Sequence, residues 1–153
     1  MTRRVLALVA AALLVALALW YGQAPPRSSE MYRKRAEETV QAMRSQAQVA
    51  TFWLRAASAG RVTREAATVG IEDAEGDAGA TSAEFAGWDP PADLVGLRDE
   101  VTDAGADLTD ALADVRIAAH HGQWGRLSEA AGQLDPLADR LASLGSRIRE
   151  GGR

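Results

Sequence analysis

Leu94, Leu97, Val101, Ala104, Leu108, Ala111, Val115 and Ala118 follow one another at alternating spacings of three and four. Leu127, Leu134, Leu141 and Ile148 then recur every seven residues, with Ala130, Leu137 and Leu144 between them. Apolar side chains repeating at about 3.5 residues stay on one face of an α-helix and form a seam that must be covered by another helix. A strand would instead need strict alternation. Only His120-His121-Gly122 and the next few residues separate the two seams, so they predict an antiparallel hairpin of helices over about 90–121 and 124–149. Asp89-Pro90-Pro91 reads as the start of the first, because aspartate caps and proline fits the opening turn. Asp135-Pro136 reads the same way and either divides the final helix or kinks it.

The first half carries a similar but weaker pattern. Val40, Met43, Ala47, Ala50, Leu54 and Ala57 predict a long helix over about 29–59, capped by Ser28 or Ser29 and stopped by Gly60. Thr63 and Glu65 start a shorter helix over about 63–70. From Gly70 to Ala83 the chain is acidic, small and glycine-rich, which predicts a loop over 70–89. Within that loop, Thr81 and Glu84 read as a capping box for one turn at Phe85 to Trp88. Gly60-Arg61-Val62-Thr63-Arg64-Glu65-Ala66-Ala67 echoes Gly125-Arg126-Leu127-Ser128-Glu129-Ala130-Ala131, although any helix stop followed by a cap looks much like this. Gly122-Gln123-Trp124 with Leu127 and Ala131 looks like the inner helix of a tetratricopeptide repeat. No second copy follows at that period, so the chain is not assigned to the family.

Ahead of these helices, Arg3 and Arg4 precede a run from Val5 to Trp20 with no charge, and none returns until Arg27. As a helix, Val5 to Ala24 is about 30 Å long, the thickness of a hydrocarbon core. Trp20 and Tyr21 stand where interfacial aromatics anchor a spanning helix. The expected organisation is a signal anchor over 1–24, a Pro-rich linker over 25–28 and a helical bundle over 29–150. The expected fold class is all-α: an N-terminal membrane-spanning helix followed by an antiparallel four-helix bundle with coiled-coil-like seams. Cleavage of the segment would give a secreted protein instead. Arg27, Arg33, Lys34 and Arg35 follow the run, so basic residues flank both sides. The short leader favours an extracytoplasmic C-terminal domain in a single-pass protein of the cell membrane.

Composition removes several classes of function. The chain has no cysteine, hence no disulfide framework, thiolate nucleophile or thiolate metal site. Its net charge of −4 becomes −6 without Arg3 and Arg4, which disfavours general nucleic-acid binding. Abundant Ala, Arg, Gly and Asp with the single lysine Lys34 fit a GC-rich bacterial genome.

Chemistry is sparse. Asp93, Glu100, Asp103, Asp107, Asp110 and Asp114 recur at helical spacing as an acidic stripe beside the seam. Like charges three or four apart repel by about 0.2 to 0.5 kcal/mol per pair, so the stripe calls for an offset. Arg33, Arg44 and Arg55 on the first helix, or Arg140 and Arg147 on the last, can supply it; a basic protein partner or cations are the alternative. Asp73, Glu75, Asp77, Thr81 and Glu84 match EF-hand positions, but Ala78 stands where the loop needs glycine, which predicts a solvated loop and no calcium site. His120 and His121 are adjacent, point about 100° apart on a helix and suit a C-terminal cap better than a metal. Trp53 and Trp124 are expected in the bundle, and Trp88, beside Asp89-Pro90-Pro91, either joins them or stands as an exposed aromatic for a partner or sugar. No nucleophile, base and oxyanion set can be assembled. The expectation is therefore no catalytic, cofactor-binding or metal-binding residue. The expected function is a membrane-anchored, non-enzymatic adaptor or accessory protein of the cell envelope, acting through a protein partner or as a homo-oligomer. The alternative is an extracytoplasmic ligand-sensing bundle.

Overall fold

The computed structural model describes residues 28–151 and contains four long helices and no strand among them. They are α1 (Ser29–Ser58), α2 (Arg64–Ala86), α3 (Val95–His120) and α4 (Trp124–Glu150), with a short 3-10 turn, Ala92–Leu94, leading into α3. Consecutive helices pack side by side and α4 returns to α1, which closes an antiparallel four-helix bundle. The anchor expected over 1–24 and the linker expected over 25–28 fall outside the described residues, except for Ser28. Among the described residues no helix is long and apolar enough to cross a membrane.

Local chemistry sets the helix ends. The Ser28 hydroxyl accepts from the Met31 amide at 3.2 Å, and the Thr63 hydroxyl accepts from the Ala66 amide at 3.2 Å, so each satisfies an orphan donor at its helix start. At the other end of α1, Gly60 takes φ 65°, and the Arg61 and Gly60 amides reach back to the Ala56 and Ala57 carbonyls. Gly122, at φ 68°, repeats this closure after α3 with the Gln123 and Gly122 amides on Ala118 and Ala119. Both are Schellman endings, in which only glycine enters the left-handed region without a Cβ penalty.

The largest correction concerns 70–89. The predicted short helix and loop are one continuous helix, α2, and the predicted capping residues Thr81 and Glu84 lie in its interior. Ala67, Ile71, Ala74, Ala78 and Phe85 form its buried stripe, so tertiary packing overrides a composition poor in helix formers. Its glycines have specific consequences. A Cβ built on Gly70 would fall inside the Trp53 indole, so the bare backbone there lets α1 and α2 approach. A Cβ on Gly105 of α3 would meet Ser82 of α2 and the Met43 sulfur of α1, and α1 and α3 accordingly touch across the bundle diagonal.

The expected start of the third helix also moves. Asp89 is not its cap, because Pro90 and Pro91 lead into the 3-10 turn and α3 begins at Val95 without a side-chain cap. Pro136 does not divide the last helix: α4 runs through it, with the proline on the exposed face. The strict heptad seam drifts. In α3 the buried positions are Leu108, Leu112, Val115 and Ala119, one residue beyond the expected Ala111 and Ala118; in α4, Ala131 is buried rather than Ala130. An α-helix advances 100° per residue, so a strict 3.5 repeat slips by about 20° per heptad unless the helices supercoil, and the apolar residues that face the core step accordingly.

Candidate interaction surface

The acidic stripe divides according to what stands opposite. Toward α4, Glu100 pairs with Arg147 at 2.5 Å and Asp107 pairs with Arg140. Asp93, in the 3-10 turn, accepts from the Ser29 hydroxyl at 3.2 Å. Asp103, Asp110 and Asp114 are exposed and form no ion pair among the described residues. Asp99 joins them on the outer face, being four residues before Asp103 and eleven before Asp110. Asp99 is thus a further member of the stripe, signalled in the sequence by its i, i+4 relation to Asp103.

The offset expected from the first helix is absent at this face. Arg33 donates to the Gly151 carbonyl at 2.8 Å, and Arg55 pairs with Asp135 of α4 at 2.8 Å. Arg44 is exposed and forms no ion pair among the described residues. Arg140 and Arg147 thus neutralise the inner edge, while the outer edge retains Asp99, Asp103, Asp110 and Asp114. All are exposed to water, where repulsion between them is weak but cumulative.

The outer face is not only charged. Val95 and Ile117, each 45 % exposed, stand at its two ends, about 33 Å apart along the helix. Beyond Asp114, a cleft of about 380 Å³ opens between α3 and α4, lined by Ile117, His121 and Glu129 as well as Asp114. The acidic strip therefore ends at a cleft whose described lining brings the Asp114 and Glu129 carboxylates beside an exposed aliphatic side chain. Such a face suits a partner that brings lysine or arginine together with an apolar residue.

The other sequence candidates find structural partners. Glu75 holds Arg116 of α3 through a pair of hydrogen bonds, the shorter 2.5 Å, and this carboxylate raises the Arg116 pKa above its ordinary value. Asp77 accepts from the Gln46 amide at 3.3 Å and Glu84 pairs with Arg35. Together with Asp73 and Thr81 these residues occupy a straight helix, so the EF-hand-like spacing cannot wrap round an ion. Among the described residues no group of three or more His, Asp or Glu is placed to hold a metal. His120, at the end of α3, meets Glu72 of α2 at 2.5 Å, and the His121 amide bonds the Ile117 carbonyl at 3.1 Å.

The three tryptophans among the described residues lie against the core. Trp53 and Trp124 are half-buried, as expected for bundle residues, and the Arg64 guanidinium stands 5.6 Å from the Trp124 ring centroid. Of the two alternatives for Trp88 the structure shows the packed one: it is half-buried against the core, with the Arg35 guanidinium 5.2 Å from its centroid. A ring covered on this side is a joint between the α2–α3 connection and α1 rather than a free aromatic. No protein-family model, curated protein or solved structure matches the chain.

Proposed function

We propose that this chain is a membrane-tethered binding module in which a helical bundle presents the outer face of α3 to a basic protein partner. The tether rests on the apolar run behind Arg3 and Arg4, and the binding role on the unpaired edge of the stripe. The single observation that carries the reading is the contrast within α3. Glu100 and Asp107 have arginines facing them, whereas Asp103, Asp110 and Asp114 accumulate like charge without a counter-ion among the described residues. A partner's cations would relieve that repulsion, and Ile117 at the rim of the adjoining cleft would supply apolar contact. The reading requires no catalysis.

A photoreactive residue placed at the exposed Ala106, between Asp103 and Asp110, tests this in the native membrane. The expected result is a discrete crosslinked species that disappears in D103N/D110N/D114N and weakens at raised salt. Adducts that persist unchanged in the triple variant would reject the surface. Fusing alkaline phosphatase or a fluorescent protein to the C terminus tests the side of the membrane: phosphatase activity is expected, and fluorescence of a cytoplasm-only reporter would reverse the orientation.

A further inference from the structure

On another face of the bundle, α1 and α4 leave a cleft of about 540 Å³. Arg44, Arg55 and Arg61 line it, together with Phe52, Thr51 and Asp139. That volume lies within the ordinary range of small-molecule sites. Three guanidinium groups line this one cleft in a chain whose net charge is −4. Among the described residues, Arg55 pairs with Asp135, whereas Arg44 and Arg61 are exposed and have no carboxylate within ion-pair distance.

The apolar wall is equally specific. Phe52 is 61 % exposed, the most open large hydrophobic side chain among the described residues, and its neighbour Trp53 fixes it edge-on at 5.7 Å between centroids. Beneath it, Ala56 and Ala138 are too small to fill the space, and the Thr51 hydroxyl is turned inward to the Ala47 carbonyl at 2.9 Å. The site therefore combines uncommitted planar donors with an aromatic face. Guanidinium forks match a carboxylate in two parallel hydrogen bonds, and an aromatic ring offers area for stacking.

We propose that this cleft binds a small organic anion with a flat apolar body, the ring laid against Phe52 and the carboxylate taken by the free guanidinium of Arg44 or of Arg61, at opposite ends of the cleft. A single negative charge suits the balance: three arginines face Asp135 and Asp139, which leaves a local excess of one positive charge. Asp139 has no cationic partner among the described residues and works against the ligand, so its removal strengthens binding. The site is independent of the acidic face of α3.

Titration calorimetry of the full-length chain with 2-naphthoate, and with 2-naphthylmethanol as its uncharged counterpart, tests the assignment. The carboxylate is expected to bind about tenfold or more tightly than the alcohol, the margin of a charge-assisted hydrogen bond. R44Q/R61Q is expected to erase that margin, F52A to weaken both compounds, and D139N to tighten the carboxylate about two- to fivefold. All four positions are exposed or rim residues, and melting curves of the variants establish that the bundle is intact. Absence of binding at millimolar 2-naphthoate, equal affinity for the alcohol, or an affinity unmoved by R44Q/R61Q would each overturn the proposal.

Discussion

Gly70 and Gly76 belong to the same helix and should answer the same substitution with opposite signs. Alanine is the better helix former by about 1 kcal/mol, and a Cβ at Gly76 meets nothing within 4 Å, so G76A is expected to stabilise by about 0.5 to 1 kcal/mol. At Gly70 the same methyl enters the Trp53 indole. Helix preference is then overwhelmed by overpacking, and G70A is expected to destabilise by about 1 to 3 kcal/mol. Urea unfolding followed by tryptophan fluorescence reports both; a G70A protein as stable as G76A would mean that Trp53 does not fill that gap. Tyr32 offers a second residue-scale test. It is fully buried on Phe85, with centroids 5.4 Å apart, and its hydroxyl has no hydrogen-bond partner among the described residues. Y32F removes an unsatisfied group and should leave stability equal or higher by about 1 kcal/mol. Burial, the largest cause, raises the Tyr32 pKa above its ordinary value. The unfolded chain therefore releases this proton first as pH rises, so the contribution is intact below about pH 10 and lost above it. The wild type should lose stability relative to Y32F on going from pH 9 to about pH 11; parallel pH profiles would contradict the burial of a protonated phenol.

At the scale of elements, Pro136 is the informative defect. It lies inside α4, lacks the amide that would bond the Gly132 carbonyl, and faces solvent. Alanine at this position restores a helical hydrogen bond without disturbing the core. P136A is therefore expected to raise stability by up to about 3 kcal/mol and to slow hydrogen exchange around residue 136; a neutral effect would indicate that α4 already bends to relieve the proline. Elements differed in how far their sequence disclosed them. The seams at Leu108 and Leu141 and the glycine stops at Gly60 and Gly122 are local signals, and the helices they imply are present. α2 was obscured because its core stripe is mostly alanine, a residue whose burial depends on what packs against it. Its glycines read as loop residues until Trp53, from another helix, supplies the reason for Gly70. The acidic stripe was legible as a periodicity. Which of its members were already neutralised was not, since that depends on α4 rather than α1 lying beside its inner edge.

For the molecule as a whole, charge is distributed unevenly around a well-packed core. Ion pairs join α1 to α2 through Arg35 and Glu84, α2 to α3 through Arg116 and Glu75, and α3 to α4 through Arg140 and Asp107. Each sits at a seam between neighbours, where it favours one helix order over its mirror arrangement. Outside this set lie an uncompensated acidic strip on α3 and two uncommitted arginines in the α1–α4 cleft. A strip that serves only solubility and one held for a partner make different demands when its charge is removed. D103N/D110N/D114N relieves repulsion along α3, notably the i, i+4 pair of Asp110 and Asp114. At low ionic strength it should therefore stabilise the bundle, by roughly 0.2 to 0.5 kcal/mol for each like-charge pair removed. Added salt should shrink that gain, because the wild-type repulsion is itself screened over about 10 Å at 0.1 M. The same variant is expected to lose its crosslinked partner, so stability and binding move in opposite directions, as they do where function retains an unfavourable arrangement. Thermal melts at two salt concentrations, paired with crosslinking, measure both quantities on one protein. A triple variant that is less stable than the wild type at low salt would show that these carboxylates are compensated within the bundle, and the case for an external basic partner would fall with it.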